Sequence, residues 1–125
     1  MATLVTGPIE NNISGGSRPT QQVTIQIVNS DPTNTSTVLI QGYVLDGTRT
    51  LYVLQSVNLN PGQVFSQTYY ANLDGYEYVF TTSGTATAST EISVWGKSST
   101  GQLVTAHRIV LHELTTTEHE ETSND

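Results

Sequence analysis

The chain has 125 residues, of which 35% are apolar and only 12% charged, with a net charge of −7. That length fits one domain with its own core, while four basic residues, Arg18, Arg49, Lys97 and Arg108, are too few and scattered to hold a nucleic-acid backbone. The absence of cysteine excludes disulfides, thiolate metal sites and a cysteine nucleophile, and no segment approaches the roughly 18 consecutive apolar residues of a membrane helix.

Hydroxyl side chains take the place of charge: 21 Thr and 12 Ser. Thr is β-branched and packs well on a pleated surface, so this composition suits β-structure. Residues 1–20 read as an arm. Ala2–Ile9 has a short apolar stretch at Leu4 and Val5 closed by Gly7-Pro8, and Asn11–Pro19 has the Asn, Ser, Gly and Pro content of a linker. Such a terminus either stays disordered or docks, on its own body or on a neighbour. No basic start or apolar run marks it as a secretory signal, so a protein working outside the cell would get there by another route or have been trimmed.

The body alternates with period 2 over seven segments. Val23–Asn29 puts Val23, Ile25 and Ile27 on one face. Thr37–Leu45 is more continuously apolar, as a central strand would be. Asp46-Gly47 is a hairpin signal, followed by Thr50–Leu59 with Leu51, Val53, Val57 and Leu59 on one face. After the turn Asn60-Pro61-Gly62 come Gln63–Ala71 and Tyr76–Thr82, the latter with Tyr76, Tyr78 and Phe80 on one face. Ser89–Lys97 sets Ile92 and Val94 against Trp95, and Leu103–Leu114 is the last strand. The expected core is Ile25, Ile27, Val38, Ile40, Leu51, Val53, Phe80, Ile92, Val94 and Ile109. Glu113, Glu118, Glu120, Glu121 and Asp125 make the chain end acidic, and nothing apolar after Leu114 offsets the entropy of ordering it.

Signals for chemistry are thin. His107, His112, Glu113 and His119 are the only metal-type cluster, and His107 and His112, five apart, point to opposite faces of a regular strand. No Gly-x-Ser-x-Gly elbow or Gly-rich phosphate loop occurs. Asp31, Asp46 and Asp74 sit in turns, where Asp normally bonds the backbone. Tyr52, Tyr69, Tyr70, Tyr76 and Trp95 are candidates for a sugar-stacking platform, although Tyr69 and Tyr70 face opposite ways. Asn12-Ile13-Ser14 and Asn34-Thr35-Ser36 match the glycosylation pattern, which an Asn-, Ser- and Thr-rich chain produces by chance.

The segments LDGTRTLYVLQSVNLNPGQ (45–63), GYEYVF (75–80) and ISVWGKSSTGQLVTAHRIVLHEL (92–114) resemble small β-proteins of endospore-forming Firmicutes, and the plan of arm plus sandwich is similar to endospore appendage subunits. The resemblance implies a non-enzymatic subunit on a spore or cell surface, made without a signal peptide inside the mother cell. Appendage subunits cross-link through arm cysteines, which this chain lacks.

The expected architecture is therefore all-β: an antiparallel β-sandwich of about seven strands over 21–114, jelly-roll-like or immunoglobulin-like, with an extended N-terminal arm over 1–20 and a disordered acidic tail over 115–125. The expected function is a structural subunit that self-assembles into fibres or rings on a bacterial spore or cell surface; the alternative is a carbohydrate- or protein-binding module. Copies of the chain are the expected partners, with a surface anchor protein or a glycan as further candidates. No nucleic acid, membrane insertion, cofactor or metal is expected. One Lys and one Pro near a strand end leave the sheet edges poorly protected. Leu4, Val5 and Ile9 are the expected assembly residues, pairing Ala2–Ile9 with a neighbour's sheet edge across a linker, Glu10–Pro19, that spans at most about 33–36 Å.

Overall fold

The computed structural model describes residues 2–86, 89–110 and 115–116. Ten strands occur in it: β1 (Ala2–Val5), β2 (Ile9–Glu10), β3 (Gln22–Asn29), β4 (Ser36–Leu45), β5 (Arg49–Leu59), β6 (Val64–Tyr70), β7 (Gly75–Ser83), β8 (Thr90–Lys97), β9 (Leu103–Val110) and β10 (Thr115–Thr116). There is no α-helix among the described residues. The seven body strands start within one residue of the alternating segments, because alternation in this sequence tracks burial closely.

The strands form two antiparallel sheets packed against each other, a β-sandwich. The first has the order β10-β1-β7-β4-β5, with β2 also on β7; the second has the order β6-β3-β8-β9. Only β4–β5 and β8–β9 are neighbours in both chain and sheet. The remaining pairings join distant segments, so the chain passes repeatedly from one sheet to the other instead of meandering.

The core lies between the sheets. Val23, Ile25 and Ile27 of β3 and Ile92 and Val94 of β8 face Val38 and Ile40 of β4, Val57 and Leu59 of β5, and Tyr76, Tyr78 and Phe80 of β7, all buried. Val53 and Ile109 are half-buried against this cluster. Leu51 departs from expectation: it is 42% exposed. The cause is a β-bulge, where the pairing steps from Gly42↔Val53 to Tyr43↔Leu51. Tyr52 is the extra residue, and everything on its N-terminal side changes face. Tyr52 turns inward instead, its hydroxyl 2.6 Å from that of Tyr78.

The arm is built into the sandwich. β1 pairs along β7, Leu4 opposite Phe80 and Val5 opposite Val79, and β2 continues along the same strand with Ile9 opposite Tyr76. Segment 11–21, linker-like in composition, is pinned by Asn11. Its buried amide donates to the carbonyls of Thr20, Ala71 and Leu73 at 2.7, 3.1 and 3.0 Å, and its oxygen accepts from the Thr20 amide at 3.0 Å. Arg18 ties the same loop to Asp74 at 2.8 Å. At the other terminus, Thr115–Thr116 pair with β1; residues 117–125 of the acidic tail lie outside the described residues.

Candidate functional site

A sandwich has two flanks, where the last strands of its sheets run side by side. On one flank β9 meets the arm, and side chains close the gap. His107 of β9 turns inward, its Nδ1 2.6 Å from the Thr20 hydroxyl and 3.0 Å from the Tyr76 hydroxyl. Burial lowers its pKa below the usual imidazole value, a hydrogen bond to the Glu10 backbone acting the other way. The neutral ring fits this setting, with Nδ1 within hydrogen-bond distance of both hydroxyls. Burial also pushes the Tyr76 phenol up to about 12, so it remains a donor. Gly96 makes room for the arrangement: a Cβ there would stand 2.6 Å from Thr20 Oγ1 and 2.7 Å from His107 Cβ. β9 itself pairs only with β8 among the described residues; the side-chain cluster ties its inner face to the arm.

The opposite flank differs. Among the described residues, β5 bonds along its length only to β4, and β6 only to β3. Uncharged side chains bridge them: Gln55 donates to Gln67 at 3.2 Å, the Tyr69 hydroxyl to Gln55 at 2.6 Å, and the Tyr52 hydroxyl to the Tyr70 carbonyl at 2.6 Å. The outward main-chain groups of both strands have no strand partner among the described residues. Neither strand contains Lys or Pro, and no residue from Thr50 to Leu73 is charged. The one device that discourages pairing, the bulge at Tyr52, lies toward one end and leaves Val53–Leu59 in regular register. Leu51, Leu54, Val64 and Tyr70, with exposures of 42, 64, 52 and 62%, lie on these two strands; they are four of the six large apolar side chains exposed among the described residues.

The residues singled out in the sequence are dispersed by the fold. Leu4 and Ile9 are buried in their own subunit's core, and Val5 is half-buried beside Val79. β7 presents the nearest free edge, and pairing there covers both backbone and apolar surface at once. The five aromatics do not make one platform. Tyr76 is buried, Tyr52 and Tyr69 are half-buried with their hydroxyls tied into the flank, Tyr70 is exposed on β6, and Trp95 lies on the outer face of the second sheet. His107 faces inward, while His112, Glu113 and His119 lie outside the described residues; among the described residues no group of three His, Cys, Asp or Glu side chains could hold a metal. Asp31 accepts from the amides of Thr33 and Asn34 at 2.9 Å, bonds that lower its pKa and match the turn role. Sequence reasoning overlooked the open flank, although its signal, a charge-free run in an acidic chain, is legible there. It also overlooked Asn11, whose role depends on carbonyls about 60 residues away.

No family model matches the chain, and no curated protein matches it. Among solved structures, the chain is similar to the one described as the crystal structure of Thermotoga maritima 1070, at 12% identity and a TM-score of 0.47, over 92% of this chain and 90% of that one.

Proposed function

We propose that the protein is a non-enzymatic structural subunit that assembles with copies of itself through the β5–β6 flank, on a bacterial spore or cell surface. The observation that carries the reading is this flank: two strand edges without partners among the described residues, no charge from Thr50 to Leu73, and exposed Leu51, Leu54, Val64 and Tyr70. Unpaired edges template strand addition. The chain has a net charge of −7, with five of its negative charges from Glu113, Glu118, Glu120, Glu121 and Asp125 near the C-terminal end, and a flank without charge from Thr50 to Leu73 is where copies approach at least cost. The arm's apolar side chains already pack in their own core, so the contact falls on the flank, not on Leu4, Val5 and Ile9. The resemblance to spore-surface subunits supports the location.

The test is the mass of the full chain by light scattering, with electron microscopy of the same sample. Assemblies growing with concentration are expected, and the double substitution Leu54→Lys and Val64→Lys should reduce them to monomer without changing the β-type circular dichroism spectrum. A parent chain monomeric at millimolar concentration would refute the reading.

A further inference from the structure

We propose that the outer face of the second sheet binds a carboxylate-bearing polysaccharide through Trp95, Lys97 and Arg108. The inference concerns a different face from the assembly flank and does not rest on the assembly reading.

Of the four basic residues in the chain, two are held in ion pairs, Arg18 with Asp74 at 2.8 Å and Arg49 with Glu77 at 2.9 Å. The other two, Lys97 and Arg108, have no carboxylate within ion-pair distance among the described residues, and both stand beside Trp95. Lys97 follows Trp95 by two positions on β8 and so shares its face. Arg108 is directly opposite Trp95 on β9, its guanidinium carbon 4.8 Å from the indole ring centroid. Glu91, the acid on the same face of β8, is four residues from Trp95, about 13 Å along the strand. That exceeds the screening length of roughly 8–10 Å at moderate salt. A protein of net charge −7 thus keeps two cations without a carboxylate partner among the described residues together around its only tryptophan.

The surroundings are built for hydroxyls. Trp95 is half-buried, and its indole N–H donates to Ser93 Oγ at 2.9 Å, which fixes the ring. Beside it runs a shallow open depression lined by Thr24, Gln26, Ser66, Trp95, Lys97 and Leu103. The hydroxyls and the amide there pair with sugar hydroxyls, Leu103 and the part of the indole that Arg108 does not cover offer an apolar surface to sugar C–H groups, and the two cations meet carboxylates. A peptide strand has no comparable purchase. β3 and β8 are paired on both sides, so no main-chain group on this face is left for strand addition.

The test uses the full-length protein and isothermal titration calorimetry with three probes: an oligogalacturonate, its neutral galactose counterpart, and poly-glutamate of similar charge. The oligogalacturonate should bind, more weakly as salt rises, with little heat from the other two. Arg108→Gln and Lys97→Gln should each lower its affinity about tenfold, with unchanged melting temperature because both side chains reach solvent. Trp95→Ala should abolish binding, and Trp95→Phe, which keeps a ring on the sheet, should retain part of it. Failure of the oligogalacturonate to bind the parent chain overturns the proposal, as does indifference of its affinity to both cation variants. Equal binding of poly-glutamate also overturns it, since the face would then read charge alone.

Discussion

Gly42 sits in β4 beside the bulge, and its missing side chain is structural. A Cβ there would lie 2.8 Å from Tyr78 Cε2 and 2.9 Å from Val53 Cβ, distances real contacts do not reach. Gly42→Ala is expected to lower stability by about 1–3 kcal/mol, the cost of overpacking a dense core, measured by urea denaturation. Asn11→Ala removes the donor to the Thr20, Ala71 and Leu73 carbonyls, of which Ala71 keeps the Leu73 amide, and the acceptor of the Thr20 amide, and should cost at least about 2 kcal/mol in the same assay. His107 supplies a pH dependence. The folded state binds its proton more weakly than the unfolded chain does. Its contribution is therefore complete above the unfolded pKa of about 6.5 and declines as pH falls through that value. Melting temperature should drop between roughly pH 7 and 5, a step absent from His107→Asn. A parent chain flat across that window would show that the ring protonates freely in place.

At the scale of elements, β1 and β7 are the informative pair. The alternation of β7 is visible in Tyr76, Tyr78 and Phe80, but Val79 on its other face is also buried, at 8% exposure, where Val5 is its partner on β1. A strand flanked on both sides, by β1 and β4, is a central strand, and the arm makes it one. Removing residues 1–10 should therefore unfold or aggregate the body by opening β7, and Leu4→Ala should cost about 2–3 kcal/mol of stability. A truncated chain that melts as the parent does would show that the pairing contributes nothing. The body strands were legible because most of them alternate between a more buried and a more exposed face and turn residues separate them. The inward turn of Tyr52 was not, since a bulge depends on which residue of the partner strand it opposes, and no local pattern records that.

For the whole molecule, charge sets the conditions of assembly. With a pI near 4.6, copies repel at neutral pH. Raising salt from low ionic strength to about 0.3 M should speed growth of the light-scattering signal, because screening shortens that repulsion while the contact itself is uncharged. Oligogalacturonate binding should respond in the opposite sense. A growth rate that falls with salt would indicate an ionic contact elsewhere. The sequence by itself determined the β class, the seven body strands and most of the buried side chains, because those follow from period-2 alternation and turn residues, which are local. The tertiary structure decided where the arm docks, which residue the bulge displaces, which cations lack a carboxylate among the described residues and how the β5–β6 flank is built. Those are relations between segments far apart in the chain, fixed only when the two sheets close on one another.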